Sequence, residues 1–204
     1  MPWLELKPIR EVGETGILGD VLSHLPSNHH YGQSVHEGTH GINSIIRNKV
    51  GNDKNGAYLL DNKAFYHKEP QISLKDLAQA VPDELRGSGY HLYLVQQRRY
   101  WNDHPLYVID ELSAYYNGTE RYLEQQDRSN TLHSCSLTIE FLGYFAILVQ
   151  EVHEDELRMF LHIMYDRILD LISEVNREYD TIKLNQQIEV VSKYFDHPLD
   201  YVMI

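Results

Sequence analysis

The apolar positions change period along the chain, and that change lays out the elements. Residues 1–33 keep no period; Gly, Pro, Ser, Asn and His recur there, and short turns or strands are expected. From Ser34 to about Asn48, Val35, Ile42 and Ile46 stack on one face at helical spacing, which predicts a helix. Asn52 to Gly56 reads as a turn. Ala57–Phe65 and Tyr90–Gln96 alternate or run apolar and predict short strands. Between them, Ser73-Leu74-Lys75-Asp76 opens a brief helix that Pro82 ends. Asp103 or His104 before Pro105 starts another, since proline is tolerated at the first helical position, and Asn117-Gly118 would cap its end.

From Ser136 onward the pattern is helical almost throughout. Leu137–His153 is strongly apolar. Asp155–Tyr179 carries Leu157, Phe160, Leu161, Met164, Ile168, Leu171, Ile172 and Val175 at helical spacing, which reads as core packing. The pattern predicts an α+β fold that is mostly helical, with a small sheet in the first half and a helical C-terminal third.

Composition narrows the function. At 204 residues, 42% apolar and 24% charged, the chain fits one soluble globular domain with a sizeable core. With 18 basic against 30 acidic residues the net charge is −12, and no Lys/Arg-rich run interrupts it, so a nucleic-acid partner is not expected. The apolar stretch around Phe141–Val149 is shorter than the roughly 20 residues that span a bilayer, so no membrane span is expected. Cys135 is the single cysteine; it rules out an intramolecular disulfide framework and reads as a buried structural thiol. The start lacks an apolar signal-peptide core, which points to the cytoplasm.

One segment carries chemistry: His36-Glu37-Gly38-Thr39-His40, an H-E-x-x-H pentad. On a helix, positions i and i+4 lie about 40° apart, so both imidazoles leave the same face. Two neutral imidazoles so placed hold one Zn²⁺, and the glutamate between them is placed to take a proton from water at the metal. Twelve His and 16 Glu in this length give about 0.06 such pentads by chance, so a random origin is a minor alternative. Ser34-x-x-Glu37 also fits a capping box, in which Glu37 would only close the helix start. Against that, the apolar stripe lies about 100° from the imidazole face, leaving the imidazoles free to face a cleft, with Asn43 and Arg47 further along that face.

A zinc site of this kind needs a third protein ligand and one open position. The metzincin continuation requires glycine at position 43 and histidine at position 46, and the chain has Asn43 and Ile46. Glu111 is the better candidate, on the second strong helix with Tyr107 and Tyr115 one turn to either side. Glu120, Asp103, His104 and His67 are rivals. The pairs and singles at His29-His30, His133, His153, His162 and His197 have no ligand spacing.

The pentad followed by a glutamate on a later helix resembles the gluzincin metallopeptidases, and loosely the compact group related to the anthrax lethal factor catalytic domain. The resemblance covers residues 34 to 118 at most and is absent over the last third. It implies a zincin-like metallopeptidase domain, with residues 1–118 as the zinc-site half and 119–204 as a helical half. It further implies His36, His40 and Glu111 as zinc ligands, Glu37 as the base that activates water, and a tyrosine or histidine for the developing oxyanion. Tyr107 and His104 stand on the glutamate face for that last role; Tyr93 and Tyr100 stay open. The expected activity is zinc-dependent hydrolysis of a peptide or protein substrate. The alternatives are a zinc-bound, non-proteolytic binding or regulatory domain with the same ligands, and a helical interaction protein whose pentad is accidental.

Overall fold

A long helix opens the described chain, and it starts earlier than the periodicity indicated. The computed structural model describes residues 31–195 except 52, 61, 62 and 180, and α1 spans Tyr31–Val50. Residues 31–33 are therefore helical instead of turn or strand, and position 34 lies inside the helix and not at its first boundary, where a capping box would need it. The irregular start expected over residues 1–30 lies outside the described residues. Val35, Ile42 and Ile46 are buried, as their spacing required.

The expected turn and strand that follow are displaced. β1 (Lys54–Leu59) begins inside the segment read as a turn, and β2 (Lys63–Lys68) pairs with it antiparallel, Ala57 opposite Phe65. Ala57–Phe65 is thus divided between two strands of a hairpin. The sequence Asp61-Asn62 between them is a turn-favouring pair that the apolar run around it obscured. α2 (Leu74–Ala80) starts on the expected signal: Ser73 Oγ accepts the Asp76 N–H at 3.1 Å, and Asp76 accepts the Ser73 N–H at 3.2 Å.

Tyr90–Gln96 is not a strand but a π-helix. A short apolar run does not by itself distinguish the two. Here the deciding partner is Glu140, whose carboxylate accepts the N–H groups of Gly89 at 2.9 Å and Tyr90 at 2.8 Å. α3 (Arg98–Trp101) follows, and then α4 (Tyr107–Glu124). α4 starts later than Asp103 or His104, and it runs past Asn117-Gly118, the pair read as its cap.

α5 (Arg128–Val152) begins at Asp127, whose side chain accepts the Asn130 N–H, and not at Ser136. α6 (Asp155–Tyr179) buries all eight residues of the predicted stripe, and α7 (Ile182–Ser192) adds Leu184, Ile188 and Val191. The core gathers round α5, which packs against α4, α6 and α7. α5 is long and apolar enough to cross a membrane, but 83% of its most apolar window is buried inside the fold, as for a core helix. Cys135 is buried on it as expected.

Candidate metal centre

The centre lies where α1 and α4 touch, and two glycines set how closely. A Cβ on Gly32 would meet the Tyr122 ring at 2.4 Å, and one on Gly118 would come 3.4 Å from both the Gly32 carbonyl and His36 Cβ. Gly118 therefore serves as a contact point between the helices and not as a helix stop. Asn117 beside it is fully buried, with its amide donating to Thr39 Oγ1 at 3.0 Å and to the Tyr58 carbonyl at 2.9 Å. Both residues of the supposed cap are used in tertiary packing.

This contact brings His36, His40 and Glu111 together. The two Nε2 atoms are 3.1 Å apart, and Glu111 Oε2 is 3.6 Å from His40 Nε2 and 4.0 Å from His36 Nε2. A tetrahedral ion bound at roughly 2.1 Å separates its ligand atoms by about 3.4 Å, so these spacings bracket what one zinc needs. Glu111 Oε2 is buried and has no hydrogen-bond donor. The opposite nitrogens are already committed: His40 Nδ1 faces Asp110 Oδ1 at 2.9 Å, and His36 bonds the Ala114 backbone. With Nδ1 of His40 donating to Asp110, its Nε2 presents a lone pair inward. Two lone pairs and an unmatched carboxylate oxygen converge, which is a donor set for a cation.

Charge in the cluster follows. Burial, then the charge of His40, lowers His36 to about 4. Burial works to lower His40 too, but the hydrogen bond and charge of Asp110, with Glu111 and Glu37, outweigh it and lift His40 to about 9. Burial raises Glu111 to about 7 against the opposing pull of His40 and Tyr107. A single proton on His40 serves His36 and leaves Glu111 Oε2 unmatched, whereas a metal ion held here would displace that proton and satisfy all three groups.

A buried polar seam fixes the arrangement. Asn43 donates to Asp110 Oδ1 at 2.6 Å and to Ser113 Oγ at 3.0 Å, while its carbonyl accepts the Tyr58 N–H at 2.8 Å. Asn43 is therefore a fastener and not a groove-lining residue. Tyr107 donates its hydroxyl proton to Glu111 Oε1, and Tyr115 sets its ring against His36 with centroids 4.4 Å apart. Tyr93, on the π-helix, shares a short hydroxyl–hydroxyl contact with Tyr115, and its phenol senses the charges of Glu111 and Glu37. Glu37 itself is exposed.

The other candidates lie elsewhere. His104 Nδ1 is 3.5 Å from Glu69, His67 faces Glu154 and Glu156, Glu120 accepts from Tyr116, and Tyr100 is exposed beside Arg99. Asp103 is exposed next to Asn102. Arg47 bonds Asn55 and lies over Trp101. Asp110 was not foreseen from the sequence, nor was the contact of Tyr115 with His36, because both depend on how α1 docks on α4; the one available signal for Asp110 was its place beside Glu111. His36, His40 and Glu111 are the single group with metal-ligating spacing among the described residues. Comparison with protein families, with curated proteins and with solved structures gave no match.

Proposed function

We propose that this chain is a zinc-dependent peptidase of gluzincin type on a zincin-like domain. The observation that carries the proposal is the convergence of His36 Nε2, His40 Nε2 and the donor-less Glu111 Oε2, with Glu37 exposed on the next step of the same helix. His36, His40 and Glu111 would hold the ion. When bound, zinc would acidify a water and polarise the scissile carbonyl. Glu37 takes the water proton and later hands it to the leaving amine.

Tyr93, in place of Tyr107 or His104, would stabilise the oxyanion. Tyr107 is engaged with Glu111, and His104 sits with Glu69. Burial raises the Tyr93 phenol to about 12, so it keeps a proton to offer, with the Tyr115 hydroxyl in contact beside it.

The test is metal content of the purified chain by mass spectrometry, beside His36→Ala, Glu111→Ala and Glu37→Gln. One zinc per chain is expected, lost in the first two variants and kept in the third. Peptide hydrolysis should fall about 10²–10⁴-fold in Glu37→Gln. Absence of zinc in the wild type after zinc is offered back overturns the reading. Zinc retained with full activity in Glu37→Gln overturns the mechanism.

A further inference from the structure

We propose that Glu69 is a positioning residue for the metal centre: it grips the start of α4 and thereby places Tyr107 and Glu111. This rests on the metal-site reading above. α4 has no cap of its own. Its N-cap residue is Leu106, which has no capping side chain, and Pro105 before it has no N–H to offer. The Leu106 N–H goes instead to Glu69 Oε2 at 3.0 Å, 37 residues away in sequence. A carboxylate there also faces the positive end of the helix dipole.

Glu69 is itself fixed. It directly follows β2, its N–H donates to the Asp53 carbonyl at 2.8 Å, and it is buried. Arg47 of α1 and Asn55 of β1 stand close enough to favour its charged form. His104 Nδ1 is 3.5 Å away with no hydrogen-bond partner of its own. The grip thus ties the hairpin to the helix that carries Glu111. One residue past Leu106, Tyr107 packs its ring on Trp101 with centroids 4.6 Å apart and gives its hydroxyl proton to Glu111. A shift in the first turn of α4 is passed through Tyr107 directly to a proposed ligand.

Burial raises this carboxyl to about 7. A carboxyl raised from the ordinary acid range stabilises the fold below its unfolded value and loses that contribution as pH rises through its folded value. Glu69 therefore costs stability at neutral pH, which a purely structural cap such as Ser or Asn would avoid.

The test is Co²⁺ titration of the metal-free full chain at pH 8, following the visible absorption of the ion, in wild type, Glu69→Gln and Glu69→Ala. Glutamine keeps an acceptor for Leu106 and alanine does not. Glu69→Ala should weaken cobalt affinity about 10-fold and alter the spectrum, the low end of outer-shell effects. Glu69→Gln should stay within about 3-fold of wild type. Hydrogen exchange of the amides at 106–110 should quicken in the alanine variant while those of α5 stay slow. Wild-type affinity in Glu69→Ala, equal loss in both variants, or equally quickened exchange in α5 overturns the proposal. A wild type that takes no cobalt overturns the metal-site reading on which it stands.

Discussion

Asp110 Oδ1 accepts from two donors at once, the His40 ring and the Asn43 amide, so one carboxylate oxygen both charges His40 and bolts it to α4. In the metal-free protein this raises His40 to about 9, above its ordinary 6.5. A base whose folded value is raised contributes stability that is full below pH 6.5 and is lost as pH rises to 9. For this part-buried group the contribution is at most about 3 kcal/mol. His36 behaves oppositely: lowered to about 4, it loses stability as pH falls from 6.5 towards 4. Chelator-treated wild type should therefore show falling urea midpoints between pH 6.5 and 9, and Asp110→Asn should lack most of that fall. The same variant should bind zinc about 10- to 100-fold more weakly, because the partner that orients and charges His40 is reduced to a neutral acceptor.

At the scale of elements, the contact of α1 with α4 decides the site, and Gly32 is its tightest point. Alanine there would overlap the Tyr122 ring, so the ring must turn aside or the helices part. Gly32→Ala should cost about 1–3 kcal/mol by chemical denaturation and weaken metal binding together with it. Gly118→Ala, where the nearest atoms are at 3.4 Å, should cost less. This contact also marks how far the sequence could be read. The clustering of the two imidazoles was legible because both belong to one helix turn, and α6 because its single buried face leaves a clean stripe. The start of α5 was not, since Thr131 and Ser134 look like loop residues, as Thr138 would on its own. In place, their hydroxyls bond the carbonyls of Asp127, Tyr115 and Ser134. Asn117-Gly118 misled for the same reason: residues that end helices are also those that let helices touch. Tyr90–Gln96 is entered through the bond of Tyr90 to Glu140, 50 residues further on, which no local pattern reveals.

In the whole molecule, α4 separates two environments. It turns Val108, Ile109 and Leu112 towards an apolar core around α5, and Asp110, Glu111 and Asn117 towards a polar seam shared with α1 and the hairpin. The apolar side secures the fold, and the polar side fixes the relative placement of groups whose spacing matters. The hairpin is held at both ends of this seam, by Glu69 at Leu106 and by Asn43 and Asn117 at Tyr58.

That last grip bears on how the proposed peptidase would recognise a substrate. Enzymes and adaptor domains often read a peptide as an extra strand laid along a free sheet edge, with main-chain hydrogen bonds giving affinity regardless of sequence. On β1 that register is closed at Tyr58, because its N–H and C=O are already held by two asparagine side chains. On the peptidase proposal, a peptide reaching the imidazoles would not be held by an added strand through Tyr58, and its side chains would carry more of the recognition. N-methylation of substrate amides away from the scissile bond should change KM by less than about 3-fold, whereas replacing neighbouring side chains should change it far more. Selectivity in the proposed peptidase would then lie in the sequence of the substrate more than in its backbone.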